Sequence, residues 1–463
     1  MTSPDIQAHR YRFFTIAAIG TFMGTLDGSI LNVALPSIAA DLDCRVDVVA
    51  WVVMAYAITL VALMMVFGAW AQRRGYPFAY KFGYTLFVTG SLICVLSRSI
   101  HGLIFGRVIQ ATGAAMFQAV GVGLVSEVFP PEERGKGIGL SVMMVSAGLM
   151  AGPPIGGFLL EFFPWQVIFV INLPIGLTAL GLCFAFFREF PKPTGKAPIR
   201  LAGAAALSVG LLSAMLGLSF IDEYPLIDPR VSGCWLVAIV GMILFFRLEG
   251  RPEKSLIGLD IFRIKDFAPR LMAMFLMFAA LSGALVLVPF FLQNVRGLSP
   301  KNVGLYLTLL PITMFVAAPL AGRISDRIGY RWLTSGGMLL FAAGLSMFRG
   351  FDQAASSLYI AASLVLMGVG VGIFNTPNSS AVMGLVSQKQ RATASGIIST
   401  LRNLGMAVGI AISTGLFAFL RSRLTGMTES ETFIAAFHQV VFVSIALALT
   451  CAILSFTRRN RPV

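Results

Sequence analysis

Fourteen long apolar stretches recur along this chain, at residues 12–36, 47–71, 78–98, 100–126, 134–160, 165–187, 199–220, 231–248, 268–294, 301–322, 332–350, 356–385, 393–420 and 433–456. A helix rises about 1.5 Å per residue, so about 20 residues cross a hydrocarbon layer of about 30 Å. Lipid offers no partner for backbone N–H and C=O groups, and runs of this length satisfy them internally only as helices. The expected fold is therefore an all-α polytopic membrane protein. Composition agrees: 57% of the residues are apolar and only 12% are charged, where a soluble domain carries about 25% charged residues. The first stretch outlasts the roughly 7–15-residue apolar core of a secretory signal, and many more follow it.

The formal charge of +14 could point to nucleic acid, but its distribution follows the loops. With the N-terminus inside, 25 of the 35 Lys and Arg residues fall on one side of the spans and 8 on the other. Such a bias places both termini in the cytoplasm and removes the need for a nucleic-acid partner. The five cysteines form no disulfide framework or metal spacing. No GxxxxGK[ST] loop and no nucleophile–base set is present, so the chain is read as no enzyme, with no metal site, no ATP and no cofactor beyond an ion gradient.

One carboxylate stands out. Asp27 lies deep inside the first span, where an ionisable group is costly and is a functional-site hypothesis by default. From its position it sits about 14 Å below the outer surface, and Arg107 enters the fourth span to about 10 Å. Opposite charges at similar depth can pair. Burial raises a carboxyl pKa and a nearby arginine lowers it, which can poise Asp27 to exchange a proton. A permanent structural ion pair is the competing reading.

The loop GAWAQRRGY at 68–76 aligns with GRISDRIGY at 322–330: Gly68 on Gly322, Arg73 on Arg327, Gly75 on Gly329 and Tyr76 on Tyr330. Both follow the second span of what would be six-span units. Their offset of 254 residues is too long for six spans alone and fits six spans plus an inserted hairpin. We therefore expect an N-terminal six-helix bundle at 1–190, an inserted hairpin and linker at 191–260, and a C-terminal six-helix bundle at 261–463. Two related halves around a central cavity are a recurring transporter plan.

Five segments taken together resemble the major facilitator superfamily, and within it the fourteen-helix drug:proton antiporters. They are LDGSILNVALP (26–36), GAWAQRRGY (68–76), LIFGRVIQATGAA (103–115), GLMAGPPIGG (148–157) and GRISDRIGY (322–330). The resemblance implies a major facilitator fold and efflux of lipophilic or amphipathic small molecules, driven by inward proton flow, and the depth argument above makes Asp27 and Arg107 the candidate proton-coupling residues. It implies gating roles for Gly68, Gln72, Arg73 and Gly75, and for Gly322, Asp326, Arg327 and Gly329. Gln72 departs from the pattern, which has an acid there, so the first gate is expected to be weaker. Gly148, Gly152, Pro153, Gly156 and Gly157 match the antiporter signature of the fifth span. Physically, small residues four apart let helix backbones approach closely, and the prolines remove backbone donors and bend the helix.

Asn32, Gln110, Asn375, Asn378, Arg402 and Asn403 are candidate polar groups of the cavity. Asn375 and Asn378 can equally bridge helices. Arg402 either meets an internal partner or snorkels to the inner headgroups. Gly28 either widens the space beside Asp27 or loosens the helix. The 38 Phe and 21 Met suit a pocket that repacks around varied ligands. Asp27 is the single carboxylate placed deep in a span, so monovalent cations, zwitterions or neutral compounds are the expected cargo. Competing readings are a transporter or flippase of an endogenous lipid or envelope metabolite, and a non-transporting receptor on a transporter fold. The expected setting is the inner or plasma membrane. The chain is expected to be monomeric, with membrane lipids around it and a periplasmic adaptor protein as a candidate partner.

Overall fold

The structure is a computed structural model describing residues 7–130, 133–190, 201–220, 228–249, 259–387, 390–424 and 426–456. Among these, fourteen long helices follow one another: α1 (Arg10–Asp41), α2 (Val46–Arg74), α3 (Tyr76–Leu96), α4 (Ile100–Val128), α5 (Arg134–Phe162), α6 (Asn172–Phe186), α7 (Leu201–Phe220), α8 (Pro229–Glu249), α9 (Phe267–Leu285), α10 (Pro300–Ile328), α11 (Tyr330–Met347), α12 (Ser357–Leu385), α13 (Arg391–Arg423) and α14 (Glu429–Phe456). Twelve are long and apolar enough to cross a membrane, α6 together with the short helix Val167–Val170 that precedes it. The other two are α7, whose apolar run among the described residues is Ala205–Ala214, and α11, whose first turns carry Arg331, Thr334 and Ser335. The fold is an all-α, multi-pass membrane protein with the expected fourteen helices.

Helices α1 to α6 pack on one another, as do α9 to α14. The expected segment boundaries in 191–200 and 250–258 lie outside the described residues. The α7–α8 hairpin is closed by Gly210 against Gly241, where an added Cβ on Gly241 would stand 2.8 Å from the Gly210 Cα. Its α7 packs against both α2 and α13, and the Ser208 hydroxyl donates to the Ala62 carbonyl. The insertion thus covers one seam between the halves.

The repeated loops have a physical cause. Gly75 ends α2 with φ +83° and Gly329 ends α10 with φ +82°, a conformation that a Cβ disfavours. Each N–H closes the last turn, on Ala71 O at 2.7 Å and on Ser325 O at 2.9 Å. Each glycine then starts the next helix at once. The sharp corner explains the glycines of these loops.

We call the end where α1 begins and α14 finishes the terminal face. At the opposite face one apolar cluster joins the halves, running from Ile30, Val49 and Trp165 to Leu287, Phe290 and Val303. There α5 meets α10 backbone to backbone: a Cβ on Gly304 would lie 2.3 Å from Pro153 O, and one on Gly157 would lie 2.6 Å from Pro300 O. Gln293 of the π-turn that extends α9 also donates to Val33 O at 3.1 Å. Toward the terminal face the cores are separate, one around Phe13, Tyr80 and Phe129 and the other around Ile261, Phe267 and Val382. The halves are closed together at the opposite face and form separate cores at the terminal face.

Candidate functional site: a buried ionic cluster in the first half

Asp27 and Arg107 are each only 1% exposed, and they touch. Arg107 and Gln110 stand three apart on α4, so both side chains leave the same face toward α1. The Arg107 Nη1 donates to Asp27 Oδ2 at 2.5 Å and to Gln110 Oε1 at 2.5 Å, while its Nε donates to the Val52 carbonyl of α2 at 3.1 Å. Asp27 Oδ1 accepts from Gln110 Nε2 at 2.8 Å and from Asn172 Nδ2, at the start of α6, at 2.7 Å. The Gln110 amide also donates to the Ser91 hydroxyl of α3 at 2.9 Å. Five helices therefore meet in one hydrogen-bonded cluster around the carboxylate. The guanidinium lies over the Tyr56 ring, 4.2 Å from its centroid.

Both carboxylate oxygens are satisfied, and Arg107, Gln110 and Asn172 all reach them as donors, so the cluster suits Asp27 as an anion. Removing Arg107 strands the buried Asp27 charge, which costs about 3–5 kcal/mol. The Tyr56 hydroxyl is buried without a hydrogen-bond partner. Sequence reasoning found Asp27, Arg107 and Gln110 and missed Asn172, Ser91 and Tyr56. Asn172 lies inside the sixth apolar stretch in the sequence VINLP, and an amide interrupting an apolar run was the available signal.

The antiporter-signature glycines seat α5 against the helix that carries Asp27. A Cβ would fall 2.1 Å from Thr25 Oγ1 at Gly148, 1.9 Å from Ser29 Oγ at Gly152 and 2.6 Å from Ile30 Cγ1 at Gly156. Ser29 donates to the Gly148 carbonyl at 3.0 Å. Pro153 and Gly157 meet α10 of the other half, as described above. One helix thus touches the ionic helix and the seam between the halves. At Gly28, the residue after Asp27 on α1, a Cβ would meet nothing within 4 Å.

The remaining candidates do not join this cluster. Asn32 is half-buried five residues farther along α1. Asn378 bridges helices by donating to Arg270 O at 3.2 Å, and Asn375 is half-buried one turn away on α12. Arg402 and Asn403 are half-buried on α13. Gly68 and Gly322 have ordinary room, with Ala119 Cβ at 3.8 Å and Thr376 Cγ2 at 3.5 Å from an added Cβ, and Arg327 is exposed. The side chains of Gln72, Arg73 and Asp326 lie outside the described residues.

The family model described as Major Facilitator Superfamily matches residues 17–299 and 270–463. Among curated proteins, the chain is 34% identical to the riboflavin transporter RibZ of Clostridioides difficile, over 87% of each chain. It is 33% identical to the uncharacterized transporter YebQ of Escherichia coli, over 88% of this chain and 91% of that one. It is 31% identical to the multidrug resistance protein Stp of Mycobacterium tuberculosis, over 89% and 76%. Among solved structures, a D-xylose-proton symporter superposes with a TM-score of 0.68 at 13% identity, covering 96% of this chain and 97% of that one.

Proposed function

The chain belongs to the Major Facilitator Superfamily, and from that premise we propose that it exports lipophilic or amphipathic compounds in exchange for protons. It is a transporter and not an enzyme. The observation that carries the finer reading is the enclosed Asp27 carboxylate, held by Arg107, Gln110 and Asn172. Protonation removes the charge that Arg107 neutralises. The guanidinium then keeps the Val52 carbonyl and Gln110 Oε1 as acceptors, so the cluster can loosen without stranding it. Helix α5, in contact with both α1 and α10, offers a direct route from that loosening to the seam between the halves. The terminal face is the cytoplasmic one in this reading, because it carries the excess of Lys and Arg, and the protein works as a monomer in the inner or plasma membrane without ATP. Whether a periplasmic adaptor takes part is a separate question that co-purification answers.

The test uses purified protein in vesicles under an imposed pH gradient. Asp27→Asn abolishes gradient-driven export down to the level of empty vesicles, while the folded protein still binds cargo. Undiminished export by that variant would end the proposal. The 34% identical riboflavin transporter favours a second reading of the cargo, a planar heteroaromatic metabolite instead of varied drugs. Export of riboflavin but of no lipophilic drug from the same vesicles would select it.

A further inference from the structure

Arg402 lies in the span of α13, about 11 residues from its first residue and so roughly 16 Å along the helix. No hydrogen bond, ion pair or ring contact engages its guanidinium among the described residues. The neighbouring Asn403 has its Nδ2 enclosed and without a hydrogen-bond partner. Asp27 does not offset this charge, because Arg107 already neutralises it.

Snorkelling does not account for Arg402. No residue of α13 from Ile397 to Ala418 is exposed, because α2, α7, α9 and α14 pack around the helix. The seam helix α10 differs, showing Ile312, Phe315, Val316 and Leu320 to the surroundings. All eight residues from Ile397 to Leu404 are half-buried, and they lie toward the face where the two cores separate. Such intermediate exposure on a helix with no lipid-facing side is the mark of a surface turned to an internal space. Arg402 brings a full positive charge to that surface with no acceptor among the described residues engaging it, and such a charge calls for an acceptor from outside the chain.

We infer that Arg402 forms an anion-recognition subsite of the transport cavity. The subsite takes one carboxylate, sulfonate or phosphate group on an otherwise apolar body. This deepens the proposed function by naming the cargo class, and it rests on that reading. It also turns the expectation drawn from Asp27 alone: with Asp27 neutralised, the free charge of the space is positive, and amphipathic anions are favoured over monovalent cations.

The experiment measures binding of 1-anilinonaphthalene-8-sulfonate to the purified full chain in phosphatidylcholine nanodiscs, with its uncharged parent N-phenyl-1-naphthylamine as the matched control. Removing a charge-assisted hydrogen bond from an enclosed site weakens binding by about tenfold or more. Arg402→Gln therefore weakens the sulfonate by that factor and leaves the uncharged parent unchanged, while Arg402→Lys restores most of the sulfonate affinity. Equal sulfonate affinity in the wild type and Arg402→Gln overturns the inference, as does an equal weakening of the uncharged parent. Phosphatidylglycerol added to the discs separates the two sources of anion. If it displaces the probe in proportion to its content, a lipid headgroup owns the subsite and the cargo assignment falls. Asp27→Asn keeps probe affinity while abolishing proton-driven export, so failure of the coupling reading is distinguishable from failure of this one.

Discussion

The two halves share a frame and differ at its centre. Helices α4 and α12 are both 29 residues long and both are capped by a serine hydroxyl, Ser99 on Gly102 N and Ser356 on Tyr359 N. Each packs on its neighbour through the same glycines. A Cβ on Gly113 would meet Gly83 O at 2.4 Å and Phe87 N at 2.5 Å; one on Gly370 would meet Gly337 O and Phe341 N, both at 2.6 Å. Gly90 abuts the Gln110 backbone as Gly344 abuts that of Met367. In that register Arg107 corresponds to Leu364 and Gln110 to Met367, both apolar and fully buried. Ser29 and Ser282 each donate to a carbonyl of the facing helix, Gly148 O and Met406 O. Two residues before them stand Asp27 in one half and Ala280 in the other. The same scaffold encloses an ion pair on one side and hydrocarbon on the other. The lesson is that this frame closes around an ion pair or around hydrocarbon, and the proposed coupling role rests on the charged version.

The sharpest way to break this comparison is to truncate matched positions. Arg107→Ala strands the Asp27 carboxylate and lowers stability by about 3–5 kcal/mol. Thermal unfolding in detergent checks this, and raising the carboxyl's protonation with acid recovers part of the loss. Leu364→Ala leaves a cavity costing about 2–5 kcal/mol, with no recovery in acid. If both variants respond alike to pH, the ionic half is not special.

A graft gives the next effect. Met367→Gln places in the second half an amide whose carboxylate partner is missing, and it costs about 1–3 kcal/mol as a buried unsatisfied group. The double variant Met367→Gln with Ala280→Asp recovers some of that loss in unfolding measurements if the two frames correspond. No recovery would show that they do not.

One residue after the carboxylate, Gly28→Ala changes stability by no more than about 1 kcal/mol and tends to raise it, since the side chain meets open space and the unfolded chain loses freedom. Proton-driven export persists. Strong inhibition of export would show that the space beside Gly28 is needed in another conformation.

The smallest effect is a rate. Cys44 lies between α1 and α2, at the face where the halves are joined. Burial first, then the Asp43 and Asp47 carboxylates, push its thiol above the ordinary cysteine value. Less thiolate is present at any given pH, so maleimide labelling is slower than for a free thiol and quickens as pH rises into the raised range. Labelling by an impermeant maleimide added outside intact cells places this face outward; labelling only after lysis would reverse the orientation.

Much of this was legible in the sequence because lipid enforces simple rules. Span length gave fourteen helices, and depth counting brought Asp27 and Arg107 together. The aligned glycines at 75 and 329 marked equivalent corners. Neutral polar groups were harder to find. Asn172 reaches Asp27, and Ser91 reaches Gln110, only through helix packing, and an amide or hydroxyl in a span costs too little to stand out as a carboxylate does. The α3–α4 and α11–α12 register stayed hidden because glycine contacts align in space while the flanking side chains differ. The position of the hairpin over the α2–α13 seam depends on contacts between distant segments, which no local pattern records. Asn378 illustrates the converse, since the sequence allows a cavity group or a helix bridge and its bond to the Arg270 carbonyl makes it a bridge.

The central claim is that Asp27 takes up and releases a proton within an otherwise neutralised cluster. Difference infrared spectroscopy across a pH titration of the purified protein tests it most directly, through the C=O stretch of a protonated carboxyl in a dry site. The account predicts a band that appears on acidification in the wild type and is missing in Asp27→Asn. The same band in both proteins, or a carboxylate that stays ionised until the protein unfolds, would contradict it.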